Sequence, residues 1–289
     1  MQLTSVKPHR GVVRTPLRYP GGKTRLAGFL EYVLDRPHWR RATYVEPYAG
    51  GAGAALSLLH SGVVARVVIN DLDPCMFAFW RAAVDEPATM LRLLDRTPLT
   101  VHEWERQREI YRQRDDSRLV ELGFATFYLN RTNRSGVMNA GVIGGKAQQG
   151  KYKIDARYNK SELRSRLEWI GDNASRIRVS NTDGLDVIRR YAGMRKSFCY
   201  IDPPYFDKGS FLYMNSFAEQ DHAALADVLR QARGARWVLT YDDVPDIRRL
   251  YRGLFQGTFD LPYSAHVVAK TKERMVLSDA VAGLDAVMP

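Results

Sequence analysis

The sequence predicts an α/β fold: a mostly parallel sheet of about seven strands, closed by a C-terminal antiparallel hairpin and interrupted by an inserted, mainly helical subdomain. Short β-branched apolar runs alternate with helical patterns. Two late apolar runs stand too close together for a crossover helix. Roughly a hundred residues separate the second strand from the third, far more than an ordinary connection.

The runs Thr43 to Glu46, Arg66 to Asp71, Arg178 to Ser180, Ser197 to Ile201 and Arg236 to Tyr241 read as strands. A helical pattern, Ala54 to His60, follows the first. Another, Asp221 to Ala232, precedes the last and places Leu225, Val228 and Leu229 on one face. This alternation implies parallel strands joined by covering helices. Near the C-terminus, Ala265 to Ala269 and Arg274 to Leu277 are joined only by "KTKE", which leaves an antiparallel hairpin. The long segment Pro74 to Arg176 must fold on its own account, so that residues 1–74 and 177–289 form one domain and 75–176 the other. Within it, Leu119, Leu122, Phe124, Phe127 and Tyr128 mark a buried helix. The stretch "SELRSRLEWI" from Ser161 marks a second, with Leu163, Leu167 and Ile170 inward.

The chain has 289 residues, with 43 Lys and Arg against 32 Asp and Glu, a net charge of +11 and a pI near 9.7. Such a balance favours a polyanionic partner, nucleic acid first. The N-terminal "MQLTSVKPHRG" has no apolar h-region, and no run of 18 apolar residues occurs anywhere, so a cytoplasmic protein with no membrane partner is expected. Cys75 and Cys199 are far apart and form no Cys-x-x-Cys pair, and the six His show no His-x-x-x-His spacing, so no metal site is expected.

Three motifs fall at strand ends, where open parallel sheets bind ligands. After the first strand, "YVEPYAGGAGAAL" carries Gly50, Gly51 and Gly53 where the chain turns sharply into a helix. A ligand can there approach the backbone and the helix N-terminus, although a plain tight turn needs glycine too. The second strand ends in "VINDLDP". Asp71, about twenty residues beyond the glycines, suits the two ribose hydroxyls of an adenosine cofactor; it could also cap the next helix, a task for which Asp73 is better placed. The fourth strand runs into "CYIDPPYF". An aromatic exocyclic amine is a poor nucleophile because its lone pair is delocalised into the ring. The Asp202 carboxylate and the Pro203 carbonyl can accept its two N–H bonds and localise that pair, with Pro204 fixing the backbone and Tyr205 offering a face for stacking.

The segment "NRTNRSGVMNAGVIGGKAQQGKYKIDARYNK" is polar and glycine-rich. From Arg131 to Arg166 nine Lys or Arg stand against two Asp or Glu, a composition for loops that face an anion. Arg134 and Asn133 or Asn139 are the expected readers of bases, Lys146, Lys151 and Lys153 the expected phosphate contacts, and Arg131 a further expected DNA-binding residue.

In order, "LRYPGGK", "YVEPYAGGAG", "VINDLDP", "FYLNRTNRSG" and "YIDPPY" resemble the motifs of Dam-like (alpha-type) DNA adenine-N6 methyltransferases over nearly the whole chain. The resemblance implies a Rossmann-like catalytic domain that binds S-adenosylmethionine, with a DNA target-recognition subdomain inserted after the second strand. It also implies methyl transfer to the amino group of a flipped adenine in double-stranded DNA. Cofactor contacts carry over to Tyr19 and Lys23 of "YPGGK", to Asp71 and to Asp202, beside Glu46, Gly50 and Gly53 of the glycine turn. "PGGK" lacks the spacing of a phosphate-binding loop. The alternatives within the same chemistry are an RNA methyltransferase and a protein-amide methyltransferase, the latter argued against by Asp rather than Asn at position 202; a catalytically idle DNA-binding relative is the alternative of another class. A cognate restriction endonuclease or other defence-system component would be a partner outside this chain.

Overall fold

The computed structural model describes residues 15–18, 26–205, 217–265 and 267–284. Seven strands form one sheet in the order β3-β2-β1-β4-β5-β7-β6, with β1 Thr43–Glu46, β2 Arg66–Asn70, β3 Ile177–Ser180, β4 Ser197–Ile201, β5 Trp237–Asp242, β6 Phe255–Ala265 and β7 Val267–Leu277. The pairs β1 with β2, β1 with β4, and β4 with β5 are parallel. β7 runs antiparallel to both β5 and β6. Strands β4 and β5 are buried at every position, which is why they read as continuous apolar runs.

The C-terminal hairpin is present, but its turn is not where "KTKE" suggested. That segment lies inside β7, and the first strand of the pair is Phe255–Ala265. β7 meets β5 only from Glu273 to Leu277, whereas Val267 to Lys272 pairs with β6 alone. A two-stranded ribbon that outruns its sheet has no apolar requirement, so polarity there misreads as a turn.

By its contacts the chain divides into two compact units. One comprises Met1–Val13, Gly21–Leu72 and Thr182–Pro289; the other comprises Arg14–Pro20 and Asp73–Asn181. In the first, helices α1 (Ala27–Leu34) and α2 (Gly53–His60) accompany β1 and β2, and one apolar cluster joins Val45, Val68, Ile188, Ile201, Leu225 and Leu239. The second unit holds α3 (Pro74–Asp85), α4 (Pro87–Arg96), α5 (Val101–Gln113), α6 (Leu119–Thr132) and α7 (Lys160–Asp172). Helix α6 is buried on every face from Leu122 to Thr132. Gly123 allows its backbone against α3, since a Cβ there would lie 2.5 Å from the Ala78 carbonyl oxygen. Asp73 caps α3 by accepting the Cys75 N–H at 2.9 Å, and Asn159 caps α7 through Glu162 N–H. Leu163, Leu167 and Ile170 of α7 are buried as their spacing predicted.

The remaining helices belong to the first unit: α8 (Gly184–Ala192), α9 (Glu219–Gln231), α10 (Pro245–Leu250) and α11 (Asp279–Ala282). Among the described residues, no helix is long and apolar enough to cross a membrane.

Candidate active site

The turn that follows β1 is held from three sides. Gly50 takes a left-handed φ of 47°, and so does Ala52, at 45°, a conformation that costs a side chain some strain. The Gly50 N–H donates to the Asp71 carboxylate at 2.9 Å, and the Ala49 N–H donates to the Asn70 carbonyl at 2.9 Å. Asn70, fully buried, donates its amide to the carbonyls of Pro47 and Thr182, both at 2.8 Å, and accepts the Thr182 N–H at 3.1 Å. One side chain at the end of β2 thus joins the turns that precede α2 and α8.

Ala52 is the N-cap of α2 and offers no side-chain cap. That duty passes to Glu46, whose carboxyl accepts the Ala55 N–H at 3.0 Å from the last position of β1. Burial pushes this carboxyl up from 4.5 to about 8; the nearby Asp202 charge adds to the shift, while the Tyr44 hydroxyl and the Ala55 N–H oppose it. The Glu46 carboxyl is 4% exposed and bonded to the start of α2. Gly53 opens α2 as its first residue.

Asp202 follows β4 and is half-buried. Its Oδ1 accepts the Thr240 hydroxyl at 2.9 Å, and Thr240 Oγ1 lies 2.9 Å from the Tyr200 hydroxyl. The register Ile201 opposite Leu239 brings Asp202 beside Thr240, and Tyr200, two residues before Asp202, projects to the same face. Pro203 and Pro204 are buried. Tyr205 is 5% exposed, and its ring belongs to the apolar cluster, 6.5 Å from that of Tyr241. Across the strand ends β2, β1, β4, the acidic residues Asp71, Glu46 and Asp202 therefore stand in sequence, one beside each strand. Tyr19 and Lys23 lie outside the described residues.

On the second unit, the residues expected to face DNA divide into two groups. Asn133 is fully buried: its amide donates to the carbonyls of Val137 and Met138 at 3.0 and 2.9 Å and accepts from Trp104 Nε1 at 2.7 Å. Arg131 is buried too; it donates to the Arg157 carbonyl at 2.8 Å, and burial pulls its guanidinium down to about 10. Both side chains spend these hydrogen bonds within the second unit, and so brace the loop. Arg134, Asn139, Lys146, Lys151 and Lys153 are exposed. Lys146 pairs with Glu105 at 2.8 Å, Lys151 lies 5.7 Å from the Tyr152 ring centre, and Lys153 donates to the Gln148 carbonyl.

The loop itself is well built. Its base is an antiparallel bridge between Asn133 and Val142, with Arg134 N–H on Gly141 O at 3.0 Å. Beyond it Gln148 donates to Ile143 O and Gly145 O and accepts the Ile154 N–H at 2.9 Å.

Sequence reasoning passed over Thr240 and Tyr200. The available signal was a hydroxyl in the middle of "WVLTY", an otherwise apolar run. Among the described residues, no group of three or more His, Cys, Asp or Glu is placed to share a metal ion.

Strand order 3-2-1-4-5-7-6, with β7 reversed between β5 and β6 and acidic residues at successive strand ends, defines a Rossmann-like α/β domain of the kind that binds its ligand at the carboxyl edge of the sheet. Residues 19–272 match the family model of D12 class N6 adenine-specific DNA methyltransferases. The chain belongs to that family, and is an adenine-specific DNA methyltransferase. No curated protein sequence matches it. Among solved structures it is similar to the rRNA methyltransferase aviRa from Streptomyces viridochromogenes, with 17% identity, 92% of this chain and 90% of that chain covered, and a TM-score of 0.41.

Proposed function

We propose that the protein transfers a methyl group from S-adenosylmethionine to N6 of an adenine flipped out of double-stranded DNA, with Asp202 as the acceptor that activates the amine. The observation that carries this reading is the Asp-Pro-Pro-Tyr segment at the carboxyl end of β4, its carboxylate fixed by Thr240, in a chain of the adenine-N6 family. An amine N–H donated to Asp202 and the other to the Pro203 carbonyl would draw the nitrogen towards tetrahedral geometry, and so localise its lone pair and make it nucleophilic.

The residues around β1 and β2 fit the cofactor. Asp71 presents a half-buried carboxylate where hydroxyl donors of a ribose would arrive, and the turn through Gly50 leaves backbone open to a close approach. Bound S-adenosylmethionine supplies a methyl on an electrophilic sulfonium. Tyr19 and Lys23 would contact it, as the family resemblance implies, with Lys23 able to pair with its carboxylate. The exposed cations Arg134, Lys146, Lys151 and Lys153 suit a DNA backbone or base edge.

Incubation of the protein with unmethylated genomic DNA and tritiated S-adenosylmethionine, followed by nucleoside analysis, tests the reading. Label in N6-methyladenine is expected. Label in cytosine, or in RNA alone, would overturn it.

A further inference from the structure

We propose that Thr240, backed by Tyr200, is a positioning residue for the acceptor carboxylate, one that aims Asp202 for the amine; this rests on the reading of Asp202 given above. Thr240 is fully buried and Tyr200 is 3% exposed, so water cannot replace either contact. A threonine hydroxyl has a single proton. The Thr240 hydroxyl donates to Asp202 Oδ1 at 2.9 Å, and the 2.9 Å contact with Tyr200 must then be a donation from the Tyr200 hydroxyl. The two protons are thereby ordered in one direction along Tyr200, Thr240 and Asp202.

This order does two things. It fixes the rotation of a carboxylate that is attached to the chain just beyond the last paired residue of β4, where backbone pairing no longer constrains it. It also holds Oδ1 with a hydroxyl donor supplied by the neighbouring strand. An acceptor for an amine must be aimed, and the strand pair β4–β5 supplies that condition from its own side chains.

The test compares Thr240→Val, which keeps the shape and removes the hydroxyl, with Thr240→Ser, which keeps the hydroxyl and removes a methyl. Thr240→Val is expected to lower kcat about 10- to 100-fold, the usual value of a hydrogen bond to a charged group, with the Kd for S-adenosylmethionine changed less than about twofold. Thr240→Ser should recover most of that loss, and Tyr200→Phe should show a smaller fall of the same kind. Thermal unfolding and cofactor binding identify any variant that fails to fold, and for those Tyr200→Phe carries the decision. If Thr240→Ser is the impaired variant and Thr240→Val turns over like the parent, Thr240 serves packing alone and the inference is overturned. Asp202→Ala, which removes the acceptor altogether, separates the two levels. An inactive, folded Asp202→Ala beside an unimpaired Thr240→Val overturns only the positioning role, whereas an active Asp202→Ala overturns the acceptor reading together with it.

Discussion

The Asp71 carboxylate accepts the Gly50 N–H at 2.9 Å, so the residue that would hold the cofactor ribose also holds the turn on which the cofactor would rest. Removal of this side chain acts twice: a hydroxyl acceptor is lost, and the left-handed Gly50 loses its anchor. Asp71→Ala is expected to weaken S-adenosylmethionine binding by about 1.5 to 3 kcal/mol for each charge-assisted bond removed. Asp71→Asn should fall between, because an amide oxygen still accepts from Gly50. Titration calorimetry measures both, and an unchanged affinity in Asp71→Ala would reduce the residue to a brace.

Asp202→Ala should abolish methyl transfer, with a loss of about 10²-fold or more. Cofactor affinity, measured in parallel, should fall far less than turnover. Parental turnover in the folded variant would remove Asp202 from the chemistry.

Glu46 gives a pH signature. Its carboxyl titrates near 8 in the folded protein against an ordinary 4.5, chiefly because burial disfavours the charge. A raised pKa means that the folded state holds a proton the unfolded chain has released. The stabilisation is therefore complete below pH 4.5 and is lost progressively as pH rises through about 8. Glu46→Gln keeps an acceptor for the Ala55 N–H and cannot ionise. Its unfolding midpoint should depend less on pH across that window, and should exceed the parent's most clearly at the alkaline end. Parallel curves for the two proteins from pH 5 to pH 8 would show that Glu46 is not the group responsible.

Gly184 opens α8 beneath Tyr48, and a Cβ at that position would lie 2.3 Å from the Tyr48 ring. Tyr48 belongs to the turn after β1, so Gly184→Ala must displace the turn or tilt the helix. Overpacking of this kind costs about 1 to 3 kcal/mol. A matching drop in stability by denaturant unfolding, together with weaker cofactor binding, is the expected result; a fully stable variant would show that the ring swings aside freely.

The central strands and the placing of Asp-Pro-Pro-Tyr at a strand end were legible because both signals are local. Burial on both faces leaves β4 and β5 as apolar runs, and Asp-Pro-Pro-Tyr follows one of them directly. What was not legible depends on residues far apart in the chain. Thr240 meets Asp202 only through the β4–β5 register, across 38 positions. Asn133 and Arg131 look like loop and helix-end surface residues until α5 supplies Trp104 as a partner and the strand of chain at Pro16 and Arg157 covers the guanidinium. Polarity in sequence marks a need for partners, and the fold decides whether those partners are protein or solvent.

The same division sets the last prediction, on the loop from Arg131 to Lys153. Arg134 is exposed, and its guanidinium lies against Gly141, where a Cβ would come within 3.2 Å of it; no described residue offers it an ion pair or hydrogen bond. A guanidinium can fork onto guanine O6 and N7, so Arg134→Ala is expected to relax the methylated motif at one position, at a cost of about 1 to 3 kcal/mol in discrimination. Lys151→Ala should leave the motif intact and weaken all sites together, with a salt dependence flattened by roughly one phosphate contact. Asn133→Ala should behave differently from either. It strips the loop of bonds to Val137, Met138 and Trp104, so it should lower stability and impair methylation at every site without selecting among them. Sequencing of methylated DNA from cells that express each variant, read beside thermal unfolding, separates the three behaviours. An unaltered motif in Arg134→Ala would remove it as a base reader, and an altered motif in Asn133→Ala would return that role to a residue the structure places inside the loop.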